Sequence, residues 1–217
     1  MSRRLFIVVE GQTEEEFMKE VLRPYLSQFG IFDVRPVLIK TSPTQKGGFV
    51  SYDHLRNHVG RLLKSEGSNI VVTTFVDFFR APTFPHEERW KVIADHHRRV
   101  EMMERVCEED INDSRFLPYI QLHEFEALLF SSVNGYIGWF DEKVVQKIGE
   151  VVDEYDDPEE INSRPESAPS KRLIRIINGY DKIVYGNLIA MEIGIDGILA
   201  KCPRFRGWVE RLIDRCR

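Results

Sequence analysis

Apolar runs rich in β-branched residues constrain the fold of this chain more than any other feature. Residues 5–9 are apolar without interruption, and in residues 70–76 only two threonines intervene. Such runs are typical of strands buried on both faces of a parallel sheet, because helices cover both sides. Residues 34–39 and 116–121 are further strand candidates, and Pro118 places the last one at or near an edge of the sheet.

Stretches with helical periodicity separate these strands. Thr13, followed three residues later by Glu16, predicts a capping box for the first helix, and Gly30 predicts its end. Further helices are predicted over residues 52–63 and 87–109. Strands that alternate with helices imply right-handed crossovers, so the sequence predicts an α/β fold with a four-stranded, mostly parallel sheet.

The second half of the chain is mainly helical. Its predicted helices cover residues 124–130, 142–152, 171–178, 188–193 and 208–216. We therefore predict an α/β domain over residues 1–130 and a helical C-terminal region over residues 131–217 that packs on it. Residues 153–160 contain six acids and prolines follow, which is typical of an exposed, flexible connection near residues 153–170.

Composition excludes several classes of protein. The chain has 217 residues, of which 42% are hydrophobic, and can bury a sizeable core. Its net charge of −5 argues against a polybasic nucleic-acid coat, although residues 164–217 carry 11 Lys or Arg against 6 Asp or Glu. Three scattered cysteines exclude a disulfide framework and a zinc ribbon. We expect no membrane segment and a cytoplasmic location, because no apolar run approaches the roughly 18 residues of a membrane helix.

Acidic residues follow three of the four predicted strands. Glu10 comes after the first, Asp77 after the third, and Glu124 and Glu126 after the fourth. The carboxyl ends of parallel strands share one edge, where ligands bind in open α/β sheets. Carboxylates brought together there repel one another, and a divalent cation such as Mg²⁺ or Mn²⁺ resolves that repulsion.

Each of these residues also has a purely structural explanation. Glu10, Glu124 and Glu126 are compatible with acids in the first turn of a helix, and Asp77 with a turn residue. Two residues apart, Glu124 and Glu126 cannot both point the same way from one helix. His123 is a candidate ligand or proton carrier and equally a packed, hydrogen-bonded histidine.

Other candidate residues lie outside this group. Lys46, in a glycine-containing loop, is a candidate phosphate contact, although the order of a nucleotide-binding P-loop is missing. His96 and His97 are expected in the middle of a helix, on the surface. Lys171 and Arg172 begin a predicted helix and are either phosphate contacts or ordinary surface cations.

Several longer motifs resemble a bacterial family of unknown function with a TOPRIM-like domain. They are VTTFVDFF at 72–79, QLHEFEALLF at 121–130, APSKR at 168–172 and CPxFxxW at 202–208, and FIVVEGQTE at residues 6–14 resembles the first motif of TOPRIM domains. Together they cover nearly the whole chain in order. The resemblance implies a TOPRIM-like sheet, related to that of OLD-type nucleases, in a chain often encoded beside an ATPase in defence-like gene pairs.

By this resemblance, Glu10 matches the TOPRIM glutamate and Asp77 the first aspartate of a D-x-D motif. The second aspartate position holds Phe79, which puts catalysis in question. Glu10, Asp77 and Glu124 are the predicted catalytic residues, Glu126 is a further metal ligand, and Glu14 and His123 are predicted to support them.

The leading hypothesis is a Mg²⁺- or Mn²⁺-dependent nuclease, or nuclease subunit, acting on DNA or RNA. Lys46, Lys171 and Arg172 would contact the nucleic acid. The alternative is a non-catalytic regulatory or sensor subunit that docks on a partner ATPase. Hydrolysis of a small phosphorylated molecule is a third hypothesis.

Overall fold

A parallel sheet forms the centre of the computed structural model, which describes residues 2–39, 51–77, 84–161 and 166–217. Its strands lie in the order β2-β1-β3-β4, with β5 also paired to β3, and every pairing is parallel. The strands are β1 (Arg4–Val9), β2 (Val34–Leu38), β3 (Ile70–Asp77), β4 (Phe116–Leu117) and β5 (Ile120–Gln121).

The fourth predicted strand is divided into two short pieces, β4 and β5. Pro118 separates them and lies at the edge of the sheet, as predicted. The ladder nevertheless continues through a side chain, because Thr74 Oγ1 accepts a hydrogen bond from the backbone N–H of Tyr119 at 2.9 Å. The predicted α/β fold, with a parallel sheet and a mainly helical C-terminal extension, is confirmed. The sheet has five strands instead of four because the fourth predicted strand is divided.

The α-helices pack on both faces of the sheet. They are α1 (Gln12–Phe17), α2 (Arg23–Ser27), α3 (Tyr52–Ser65), α4 (Glu87–Trp90), α5 (His96–Ile111), α6 (Glu142–Glu154), α7 (Pro169–Ile176), α8 (Lys182–Lys201) and α9 (Pro203–Cys216). A π-helical turn, Met18–Leu22, joins α1 to α2, and 3-10 turns cover Phe125–Ser131, Val133–Tyr136 and Pro158–Glu160.

Three local predictions are wrong. Gly11, not Thr13, occupies the N-cap of α1, and glycine has no side chain that could cap the helix. Thr13 lies inside the helix and is buried. The helix predicted over residues 87–109 is interrupted between α4 and α5, so His96 and His97 begin a helix instead of lying in the middle of one. Asp95 caps that new start through a 2.8 Å hydrogen bond from the backbone N–H of Arg98.

Alternating residues of β1 enter two separate cores. Leu5, Ile7 and Val9 pack with the C-terminal helices on one face of the sheet, whereas Phe6 and Val8 pack with α3 and α5 on the other. Burial on both faces is therefore the reason that the strand is apolar throughout.

Helix α9 is an integral part of the first core. Trp208 is fully buried, stacks on Tyr119 with ring centroids 4.6 Å apart, and donates a 2.9 Å hydrogen bond to Thr73 Oγ1. The C-terminal helices thus pack directly on the sheet, and the division of the chain into two domains at residue 130 stays a prediction.

Part of the acidic connection is buried, whereas other residues of its described part are exposed. Glu159 is fully buried, and its carboxylate accepts hydrogen bonds from the backbone N–H groups of Arg204 at 2.8 Å and Phe205 at 3.3 Å, at the start of α9. The expectation of an exposed acidic run is therefore wrong at Glu159.

Helix α8 is long and apolar enough, by length and composition alone, to cross a membrane. The expected absence of a membrane segment stays a prediction, because Asn187, Glu192 and Asp196 interrupt the apolar run of this helix. Ile189, Ala190 and Ile198 of α8 are buried in the first core, and the helix is kinked at Gly194, whose φ is 75°. Of this apolar stretch, 33% is buried inside the structure.

Candidate metal centre

The carboxyl ends of β1 and β3 bring Glu10 and Asp77 together. These strands are parallel neighbours, so the residues that end them lie side by side. The backbone N–H of Asp77 donates a 2.7 Å hydrogen bond to Glu10 Oε1, and Asp77 Oδ1 accepts one from the backbone N–H of Phe125 at 3.0 Å. Both carboxylates are buried and held in fixed orientations.

A turn in left-handed backbone conformation positions the next two acids. His123 has a φ of 66°, which is uncommon for a residue with a side chain. The chain then enters the 3-10 helix Phe125–Ser131, and Glu124 lies before it in extended conformation. Because Glu124 lies outside the helix, the predicted conflict of direction with Glu126 does not arise, and both side chains are buried near each other.

Helix α7 orients Glu124. The backbone N–H of Ser170, in the first turn of α7, donates a 2.9 Å hydrogen bond to Glu124 Oε2. The APSKR motif therefore contributes a backbone donor to the centre, a role that its side chains do not indicate.

Glu14 and Lys182 complete the group. Glu14, in the first turn of α1, is buried, and its Oε1 lies 2.9 Å from Lys182 Nζ; Glu126 Oε2 lies 3.3 Å from the same nitrogen. A Cβ on Gly11 would lie 2.7 Å from Glu14 Oε2, so glycine allows this close approach. Glu14 is predicted from the sequence only as a supporting residue, and Lys182 is not among the predicted site residues.

Packing of α8 explains how Lys182 reaches the centre. Lys182 is the first residue of α8, and Asp181 caps that helix. Gly186, one turn later, lies so close to α1 that a Cβ there would lie 3.2 Å from Thr13 Cγ2 and 3.5 Å from Phe125 Cε1. Lys182 lies before the helix predicted over residues 188–193, so no local signal indicates its acidic partners.

The charges of this group are strongly coupled. Burial, then repulsion from Glu10, raises the pKa of Asp77 well above its ordinary value, against the opposing effect of Lys182. Burial likewise raises the pKa of Glu126. Burial would lower the pKa of Lys182, but the carboxylates around it raise the pKa above the ordinary value, so the ammonium stays charged.

The residue types in this group suit a divalent cation. Its five carboxyl groups offer only oxygen ligands, which Mg²⁺ and Mn²⁺ prefer. Among the described residues, Glu126 Oε2 is buried without a hydrogen bond, since the ammonium of Lys182 is close enough for an ion pair but not aligned for a hydrogen bond. Tyr180 Oη is also buried without a partner within the described part of the chain. A hydrated cation would supply both the missing charge and the missing donors.

The other predicted site residues either lie outside the described residues or do not contact the acidic centre. Lys46 and Phe79 lie outside the described residues. Lys171 is exposed. The guanidinium of Arg172 is engaged within the chain, because it donates to Ser167 O at 3.0 Å and to Tyr155 Oη at 2.9 Å, so it is not free to bind phosphate in a bidentate manner.

His123 is a buried, neutral histidine. Burial, together with the charges of His96 and His97, lowers the pKa of His123 to about 4. Its ring packs edge-on against His96 at 5.4 Å, and its Nδ1 has no hydrogen-bond partner among the described residues. At neutral pH it therefore carries no charge toward the acidic centre.

Fold and site together define an α/β protein with an acidic, oxygen-rich centre at the carboxyl edge of a parallel sheet. The chain belongs to the DUF4276 family, described as a domain of unknown function, whose model matches residues 9–213. The predicted membership of a family of unknown function is confirmed. Among curated proteins, none matches this sequence.

Two solved structures are similar to the chain at low identity. The C-terminal region of the Burkholderia pseudomallei OLD protein is 17% identical, with 99% of each chain covered and a TM-score of 0.48. The C-terminal region of the Xanthomonas campestris pv. campestris OLD protein is 16% identical, with 99% of this chain and 92% of that chain covered and a TM-score of 0.46. At these values the similarity supports no inference about the activity of this chain.

Proposed function

We propose that the chain is a metal-dependent phosphodiesterase that acts on nucleic acid. One observation carries the proposal: five buried carboxyl groups from three separate segments of the chain converge at the carboxyl edge of the sheet, with one lysine among them. Burying that many acids costs stability, because each is desolvated and each repels the others. Their shared function as ligands explains why the chain tolerates this cost.

Glu10, Asp77, Glu124 and Glu126 are the residues that would hold Mg²⁺ or Mn²⁺. A bound cation of this kind lowers the pKa of a coordinated water and stabilises negative charge on a scissile phosphate. Asp77 keeps a raised pKa in the metal-free protein, so binding of the cation is coupled to release of a proton. We therefore expect the affinity for metal to increase as the pH rises.

Lys182 supplies a cation that belongs to the chain itself. Its side chain is 30% exposed, and its ammonium lies between the carboxylates of Glu14 and Glu126. A phosphodiester at this edge would meet a fixed positive charge that stabilises its oxygens. Glu14 holds that ammonium in place, which is an orienting role.

A nucleic-acid substrate agrees with the distribution of charge along the chain. The excess of Lys and Arg over Asp and Glu in residues 164–217 provides cations for a phosphate backbone, while the negative charge elsewhere limits non-specific binding. Lys171 is exposed beside the helix start that orients Glu124 and is the candidate contact within the described tail.

Exchange of Glu10 for Gln tests the proposal. Cleavage of single- and double-stranded DNA and of RNA is measured with Mg²⁺, with Mn²⁺ and with EDTA. We expect metal-dependent cleavage by the unaltered chain and at least a roughly 100-fold loss in Glu10→Gln. Glu16→Gln is the matched control and should keep full activity, because Glu16 is an exposed acid in α1, the helix that follows Glu10. Full activity of Glu10→Gln would overturn the assignment.

A regulatory subunit that docks on a partner ATPase is the second candidate. It draws on large apolar side chains exposed along α8, namely Ile183, Val184 and Met191. Isothermal titration with Mg²⁺ and Mn²⁺, in the presence of nucleic acid, distinguishes the two functions. Absence of any metal binding would favour the regulatory role.

A further inference from the structure

A second group of residue types that can ligate a metal shares no member with the acidic centre. His97, Asp157 and Glu160 each offer one ligand atom, and these three atoms lie within 4.8 Å of one another. His97 comes from the first turn of α5, whereas Asp157 caps the 3-10 turn Pro158–Glu160 in the acidic connection and Glu160 ends that turn. Segments about 60 residues apart in the chain therefore meet at one point.

The local structure holds the two acids on the outer side of this turn. Glu159 points inward, where its carboxylate binds the start of α9 through the N–H groups of Arg204 and Phe205. Asp157 Oδ1 accepts a 2.8 Å hydrogen bond from the N–H of Glu159, which leaves its second oxygen available. The anchored turn presents Asp157 and Glu160 together.

No cation of the chain balances these two acids within the described residues. Neither Asp157 nor Glu160 forms an ion pair with a lysine or arginine there, although many other surface acids do. Two carboxylates beside an imidazole, without such a partner, leave a net negative site that attracts a cation.

A buried histidine lies near this group. His123 is 2% exposed, its ring packs against that of His96, the neighbour of His97, and its Nδ1 has no hydrogen-bond partner among the described residues. A buried ring nitrogen without a partner is costly, and water bound to a metal ion is a strong donor.

We propose that His97, Asp157 and Glu160 form a zinc site that joins the start of α5 to the acidic connection. One imidazole nitrogen and two carboxylate oxygens are a ligand set that Zn²⁺ accepts, with water in the remaining position. Ligand atoms on tetrahedral zinc lie about 3.4 Å apart, so closure requires side-chain movements of roughly 1 Å. Glu160 is exposed and can make that movement.

The zinc content of the whole chain, prepared without a histidine tag, tests this site. Protein stripped of metal is dialysed against micromolar ZnCl₂, and bound zinc is measured by mass spectrometry. The acidic centre is first disabled by Glu10→Gln with Asp77→Asn, so that its own metal binding is not counted. We expect this double variant to keep one zinc ion per chain.

Addition of His97→Gln to the double variant should remove that zinc, and Glu160→Gln should weaken its binding at least about tenfold. His54→Gln, at an exposed histidine on α3, is the matched control and should leave the zinc content unchanged. If the double variant does not fold, the loss of one equivalent on His97→Gln in the unaltered chain tests the same claim.

Equal zinc content with and without His97 would overturn the proposal. So would a folded double variant that binds no zinc. Because nuclease activity is measured separately with Mg²⁺ and Mn²⁺, either result leaves the proposed function standing, and failure of that function leaves the zinc site standing.

Discussion

Replacement of Lys182 by methionine tests whether one lysine balances the acidic centre. The change keeps most of the length of the side chain and removes its ammonium group. In metal-free buffer, Glu14 and Glu126 would then lack their ion-pair partner and Asp77 would lose a compensating charge. We expect a lower free energy of unfolding, because buried carboxylates without a counter-charge are unfavourable.

The distances set the magnitude. Lys182 Nζ lies 2.9 Å from Glu14 Oε1 and 3.3 Å from Glu126 Oε2. At an effective dielectric constant of about 20, each contact contributes roughly 5 kcal/mol before desolvation is subtracted. Removal of one partner costs about 3–5 kcal/mol in a buried pair, whereas a surface pair contributes less than about 1 kcal/mol. Lys182 is 30% exposed, so we expect a loss of about 2 kcal/mol.

The loss should depend on pH. The pKa values of Asp77 and Glu126 are raised in the folded chain, chiefly by burial, so their protonated forms fold more favourably and stability falls as the pH rises through those pKa values. Without Lys182 these carboxyls need their protons even more. The difference from the unaltered protein should therefore be largest near about pH 8 and smaller near about pH 6.

Urea denaturation in EDTA at both pH values measures the effect. Lys171→Met, at an exposed lysine on α7, is the matched control and should change the free energy of unfolding by less than about 0.5 kcal/mol. A loss for Lys182→Met no larger than that of the control, or one that is the same at both pH values, would refute the charge-balance reasoning.

Three further substitutions test other parts of the structure. Asp77→Asn should weaken the fall of stability with rising pH in EDTA, because it removes a carboxyl group whose pKa is raised by burial; urea denaturation at several pH values measures this, and an unchanged pH dependence would contradict it. Gly11→Ala should lower the free energy of unfolding in urea denaturation, since its Cβ would displace Glu14 from its ion pair with Lys182, and an unchanged free energy would contradict this. Trp208→Phe should cost about 2 kcal/mol in chemical denaturation through the lost hydrogen bond to Thr73, and a loss below about 0.5 kcal/mol would contradict the packing of α9.

The sequence alone was sufficient for the sheet and for the acids that end its strands. Burial on both faces requires continuous apolar residues, so β1 and β3 are visible as patterns within a few positions. Glu10 and Asp77 follow those strands directly, and parallel neighbours bring their ends to one edge. The two acids could therefore be predicted because they directly follow strands that the sequence pattern reveals.

Local patterns were less informative where tertiary contacts choose between alternatives. Thr13 looked like a helix cap, but its burial against α8 placed it inside α1. His96 and His97 looked like residues in the middle of a helix, although the chain breaks before them and Asp95 caps a new start. In both cases helical periodicity alone does not fix where a helix begins.

The α/β class and the acids at the strand ends follow from the sequence alone, because the spacing of hydrophobic residues and the order of residues along the chain are local properties. Only the tertiary structure decided that Lys182 enters the acidic centre, that Glu159 turns inward, and that His97 meets Asp157 and Glu160. These residues are distant along the chain, and no short-range pattern encodes their meeting. They come together because helices pack on both faces of the sheet and along its edge, and that packing depends on the whole set of buried surfaces at once.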